Sequence, residues 1–240
     1  MTFWDHLDEM RGMLVRIILL VLVAGVGTFF LKDQLFQIVL APASSDFVMY
    51  RLIGTEPFAL KLINTELTEL LFVHLKLSIY AGLLVVSPYV LYLLFGFVSP
   101  ALYEREKHYA VWIVSSAYFM FMVGTIANYF VIFPFTVHFL GTYHVSDVVT
   151  NMLSLQSYTD TLIAMNLMMG LVFELPVVCR LLSMMGVLRR GMMTRFRRHA
   201  FVAIIMAAAI ITPTTDAFTL FVVALPIYLL YELSIPLVRK

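Results

Sequence analysis

The stretch LLFVHLKLSIYAGLLVVSPYVLYLLFGFV fills residues 70–98, and Lys76 and His74 are the only basic or acidic side chains among its 29 positions. About 20 mostly apolar residues, wound as a helix, cross the ~30 Å hydrocarbon core of a bilayer. This segment is therefore read as a membrane span. Comparable runs lie at 13–31, 110–140 and 158–185, with two shorter ones at 200–212 and 217–237.

The rest of the chain agrees. Of 240 residues, 62% are hydrophobic and 13% charged, and the mean hydropathy is +0.94. Soluble domains run nearer half apolar and a quarter charged, so too few polar side chains exist to cover a water-facing surface. A soluble enzyme, a disordered chain and a secreted disulfide scaffold are all excluded. Ten-residue stretches of alternating polarity are missing, which excludes barrel strands. Helices, which satisfy their own backbone, are what remains. The expected fold is an all-α integral membrane protein, one domain over residues 1–240 with six transmembrane helices.

The last two spans are short. Ala200 to Thr212 holds 13 residues, ~20 Å at the helical rise. Between Asp216 and Glu232 there are 15 uncharged residues, ~22 Å. Joined by Pro213-Thr-Thr-Asp216, they predict a tight hairpin and a locally thinned bilayer.

Orientation follows from the Lys/Arg bias. With the N-terminus inside, inner segments collect Arg11, Arg16, Arg105, Lys107, Arg180, Arg189, Arg190, Arg195, Arg197, Arg198, Arg239 and Lys240. Outer segments receive only Lys32, Arg51 and Lys61. Both termini are expected in the cytoplasm. The N-terminus has acids ahead of its first apolar run, unlike a signal or transit peptide, so the first span is expected to be retained and the membrane to be a prokaryotic inner one. The longest outer connection, about 32–69, contains Pro42 and Pro57. Its apolar run Leu35–Leu40 is suited to lie on the membrane or to cap the bundle.

Pro88, Pro134, Pro176 and Pro226 fall inside spans. Each removes a donor and frees the carbonyl four residues earlier, at Leu84, Phe130, Val172 and Val222. They predict bent helices around a concave wall, or kinks that a membrane helix simply tolerates.

Catalytic signatures are missing: no GxxxxGK, GxGxxG, HExxH or GxSxG occurs. The net charge of +1 gives no nucleic-acid footprint. Six histidines scattered over both membrane sides do not suggest a metal. Cys179 alone cannot form an intrachain disulfide, and is expected to be a small buried hydrophobe. A non-enzyme without cofactor, powered from elsewhere, is expected.

Carboxylates carry the remaining signal. Glu174 sits within the fourth apolar run, where an ionised group costs about 2.5–3.5 kcal/mol on insertion scales and such residues face an interior or cavity. A hydrogen-bonded structural role is the other reading. Glu9, Glu104 and Glu106 lie at the inner water boundary. The cluster Arg189 to Arg198 is explained by positive-inside topology and by contact with anionic lipid.

Four motifs then occur in order. His6-Leu7-Asp8-Glu9-Met10-Arg11 resembles the H-L-x-E-L-R that opens the TatC family, the multispanning component of the twin-arginine protein translocase. Phe97, Pro100, Leu102 and Glu106 match its F-x-x-P-x-L and following glutamate. Phe173, Glu174 and Pro176 match F-E-x-P, and Thr212-Pro213-Thr-Thr-Asp216 matches T-P-x-x-D. Leu220 stands where the family often has glutamine.

The resemblance covers essentially the whole chain and implies a translocase. Glu9, Arg11, Phe97 and Glu106 would bind twin-arginine signal peptides, and Glu174 would be an intramembrane polar site. Thr212, Pro213 and Asp216 would form a partner-contact hairpin. Partners would be TatA- and TatB-like single-span proteins, in an oligomeric receptor complex that exports folded cargo on the proton-motive force. The rival class is a secondary transporter of a small solute, with Glu174 as coupling carboxyl; it predicts internal repeats and helices broken at mid-membrane, and no repeat is visible.

Overall fold

The computed structural model describes residues 3–54, 58, 60–98, 110–142, 152–212 and 216–238. Their backbone is almost entirely helical, as the bilayer's lack of hydrogen-bonding water dictates. Helix α1 (Phe3–Phe29) leads into a cap made of α2 (Lys32–Leu40), a 3-10 turn (Ala41–Ala43) and α3 (Val48–Ile53). Helix α4 (Glu69–Val98) runs 30 residues, ~45 Å. Helix α5 (Ala110–Ala127) passes through a π segment (Asn128–Ile132) into α6 (Phe133–Thr142). Helices α7 (Leu155–Phe173) and α8 (Leu175–Met184) meet at Glu174. The short α9 (Arg190–Arg195), α10 (Arg197–Ile211) and α11 (Ala217–Ser234) complete the order.

Five of these units are long and apolar enough to cross a membrane: 6–29, 69–97, 111–142, 155–184 and 217–237. The fifth predicted segment is α10, a helix of 15 residues or ~22 Å. The sixth is longer than its uncharged core suggests. Helix α11 continues past Glu232 to Ser234, and a 3-10 turn extends it to Leu237. Glu232 fits inside it because its carboxylate accepts from Arg197 at 2.8 Å and from the Tyr228 hydroxyl at 3.2 Å. Of the two segments read as short, 217–237 reaches spanning length and α10 does not.

The span prolines behave differently from one another. Pro88 and Pro226 sit inside uninterrupted helices, Pro134 follows the π segment, and Pro176 starts α8. At Pro88 the freed Leu84 carbonyl accepts from the Ser87 hydroxyl at 2.7 Å. A local hydroxyl replaces the missing amide, a familiar way for membrane helices to accommodate proline.

Helices α1 and α4 pack closely because two glycines face each other. A Cβ on Gly82 would lie 2.5 Å from the Gly25 nitrogen. The Thr28 hydroxyl crosses the same contact to the Ser78 carbonyl at 2.7 Å. Small residues and side-chain hydroxyls are what membrane helices use where hydrophobicity offers no driving force. The main core lies between α4, the π segment, α7 and α11, with Val73, Phe133, Met165, Met169 and Val223 fully buried.

Between the two uses open to Leu35–Leu40, the fold selects the cap. Val39 is buried and its carbonyl accepts from the Tyr158 hydroxyl at 2.9 Å. Tyr129 reaches the Ile38 carbonyl at 2.6 Å. Tyr50 donates toward the carbonyls of Pro42 and Pro134, each 3.0 Å away, and burial pushes its phenol up from the ordinary value. Beside the cap, Leu62–Ile63 pairs in parallel with Leu153–Ser154.

Candidate functional site

At the opposite end from the cap, the start of α1 crosses the end of α4. Glu9, Gly12, Met13 and Arg16 share one helical face at i, i+3, i+4 and i+7. Tyr92, Leu93, Gly96 and Phe97 line the facing helix. Together with Asp8 they enclose a cavity of about 370 Å³. Asp8, Glu9 and Arg16 are its charged lining residues, and Met13, Leu93 and Phe97 its apolar ones. The Phe97 ring stacks on His6 at a centroid distance of 4.3 Å. Glu9 is exposed and accepts no hydrogen bond among the described residues. A carboxylate beside an aromatic wall can take a guanidinium bidentately while the arginine stem lies on the ring.

Of the residues that the sequence names for a signal peptide, Glu9 and Phe97 line this cavity. Arg11 is exposed and does not line it; Arg16, one further turn into the helix, does. Arg16 also borders a neighbouring hollow of about 410 Å³ with Leu19, Leu20 and Tyr89. The sequence reading had assigned Arg16 only to charge topology. Its seven-residue spacing from Glu9 is the signal that places both on one face. Glu104 and Glu106 lie outside the described residues.

Glu174 stands at the junction of α7 and α8, 9% exposed, with its Oε1 lacking a hydrogen-bond partner among the described residues. Its backbone bridges the break: the N–H donates to Leu171 at 3.1 Å, and the carbonyl accepts from Val178 at 2.9 Å. A buried polar atom left unpaired is costly and uncommon. The junction exists because Pro176 cannot donate back into α7.

In the hairpin, Pro213 lies outside the described residues. Thr212 is buried, with its hydroxyl on the Ala208 carbonyl at 2.9 Å. Asp216 caps α11, accepting from the Thr219 amide at 2.7 Å. That contact satisfies a helix-end donor that the helix itself cannot.

Two residues that the sequence left without a role have structural ones. Lys76 reaches both oxygens of Asp160 at 2.8 Å, tying α4 to α7. His74 stacks on Phe29 with centroids 4.1 Å apart and contacts its carbonyl at 3.1 Å. The sequence reading missed Glu69 altogether. It is 1% exposed and accepts from Thr65 and Glu66 amides and the Thr65 hydroxyl on one oxygen, and from Ser154 and Gln156 on the other. Among the described residues no group of His, Cys, Asp and Glu is arranged as a metal site.

A polytopic helical membrane protein with a charged, half-open cavity at one end is the class this geometry defines. Residues 5–226 match the family model of TatC, Sec-independent protein translocase protein. The chain is 33% identical to the Sec-independent protein translocase protein TatC of Koribacter versatilis, over 98% of this chain and 84% of that one. It is 35% identical to the TatC of Desulforapulum autotrophicum, over 97% and 82%. A crystal structure of the twin arginine translocase receptor TatC in DDM superposes with a TM-score of 0.82 at 29% identity, covering 98% of this chain and all of that one. The chain belongs to the TatC family of protein translocase components, which are transport subunits and not enzymes.

Proposed function

We propose that this chain is the signal-recognising subunit of a twin-arginine translocase, exporting folded proteins across a prokaryotic inner membrane on the proton-motive force. The observation that carries the reading is the cavity joining Glu9 and Phe97 at the crossing of α1 and α4. In this reading the chain is a single six-span domain, both termini are cytoplasmic, and the proline-bearing helices bend around a concave face that holds Glu174. TatA- and TatB-like single-span proteins would dock on it, with Thr212, Pro213 and Asp216 at a contact hairpin. Family membership gives no support to the small-solute transporter.

Magnitudes limit what Glu9 and Glu106 alone can do. Exposed ion pairs contribute only ~0–1 kcal/mol, and partly shielded hydrogen bonds to charged groups ~1.5–3. Two such contacts supply ~3–6 kcal/mol, short of the ~8 that micromolar affinity needs. The apolar wall with Phe97 and Leu93 is placed to supply the remainder. Lysine cannot reproduce the guanidinium fork. Photo-crosslinkers placed beside positions 9 and 106 should therefore capture an Arg-Arg signal peptide strongly and its Lys-Lys variant only weakly. Equal capture of the two peptides would sink the assignment.

A further inference from the structure

A second hollow is larger than the one with Glu9. It lies between the start of α5, helix α8 and the C-terminal 3-10 turn, and measures about 700 Å³. Ile113, Met120, Val177 and Leu181 make its wall apolar, and Trp112 and Arg180 stand on its edge. We propose that this cleft binds an anionic phospholipid, with the headgroup on Arg180 and an acyl chain along the apolar wall.

Three observations point to that occupant. First, the volume falls in the range of sites that enclose small amphipathic ligands, and the wall offers little for a polar one. Second, Arg180 has no carboxylate partner among the described residues; its Nη1 donates to the Leu237 carbonyl at 2.7 Å. A guanidinium has five donors in a fork that matches phosphate, so most of its capacity is unused. Third, the cleft lies where α5 begins and α8 ends, and the C-terminal turn that lines it packs against Met193 of α9, within the Arg189–Arg198 cluster. Arginine near a membrane surface attracts anionic lipid, and Trp112, 77% exposed, is of the type that seats at headgroup depth. The charge also argues against a signal peptide here, because paired arginines would meet Arg180 with like sign.

Trp112 makes the test direct, since Trp4 is the one other tryptophan. The full chain carrying Trp4→Phe is placed in nanodiscs of zwitterionic lipid, with a small fraction of lipid brominated on its acyl chains. Brominated phosphatidylglycerol should quench Trp112 about fivefold more effectively than brominated phosphatidylcholine, the factor for ~1 kcal/mol per arginine at an anionic surface. Arg180→Gln should abolish that preference. Ser116 also lines the cleft, so Ser116→Phe, which fills it and leaves the guanidinium in place, should weaken quenching by the anionic lipid. Equal quenching by both lipids overturns the proposal. So does a preference that survives Arg180→Gln, or one that Ser116→Phe leaves untouched. Displacement of the quencher by an Arg-Arg signal peptide would assign the cleft to the peptide instead.

Discussion

Glu69 and Glu9 are both glutamates near a helix start, at opposite ends of the bundle, and their surroundings could hardly differ more. Every side of the Glu69 carboxylate is occupied. Five donors from two loops converge on it, and it holds Leu62–Ile63 and Leu153–Ser154 in register. Glu9 stands exposed on a cavity with no donor of its own among the described residues. A carboxylate whose lone pairs are all used stabilises the fold and has nothing left for a ligand. One with its lone pairs free, next to an aromatic wall, contributes little to stability and is open to a guanidinium. The cap end is closed by its own hydrogen bonds; the other end presents on a cavity a carboxylate unpaired among the described residues.

The sharpest way to break this contrast is to remove Glu9 together with Glu106, the other carboxylate proposed to meet the signal. Replacing Glu9 and Glu106 together by alanine should lower Arg-Arg signal affinity by at least about a hundredfold, from two lost contacts of ~1.5–3 kcal/mol each. Thermal stability should stay put. Calorimetric titration with the synthetic signal and an unfolding scan report the two readouts separately. Unchanged binding in the double variant would remove Glu9 from the site.

Glu174 tests the middle of the molecule. Glu174→Ala should reduce export of a folded reporter about tenfold, while Glu174→Gln, which keeps the shape and one acceptor, should reduce it less. Both variants should assemble, because no described hydrogen bond depends on Oε1. Normal export by the alanine variant would leave this buried carboxyl without a transport role.

At the saturated end the prediction reverses. Glu69→Gln puts an amide donor against N–H groups that need an acceptor. The thermal midpoint should fall by on the order of 5 °C in a chain of this size, with signal binding in detergent unchanged. If binding falls and the midpoint does not, the two ends have been assigned the wrong way round. The smallest effect is expected at Lys76. Its pair with Asp160 is about two-fifths exposed on both sides, so Lys76→Met should cost at most ~1 kcal/mol, and less at high salt. A larger loss in denaturant titration would show that the α4–α7 tie is more shielded than its exposure implies.

The sequence by itself determined the kind of molecule. Apolar runs near 20 residues are a property of the chain read locally, and a bilayer leaves helices as their one conformation. Ordered motifs then located Glu9, Phe97 and Glu174, because each motif is contiguous or nearly so. The last span, 217–237, was legible as well, although Glu232 interrupts its apolar run. That the helix runs on depends on Arg197, 35 residues away, neutralising a charge that otherwise marks an end. The tertiary structure alone decided which charges are spent and which are free. Glu69 looks no different from Glu9 in sequence, and its partners Ser154 and Gln156 lie more than 80 residues downstream. Likewise Lys76 finds Asp160 across 84 residues, and Arg16 joins the cavity because the start of α1 packs against the end of α4. Hydrophobicity acts residue by residue and can be read along the chain. Hydrogen bonds and ion pairs act over a few ångströms, between residues that only the packed helices bring together.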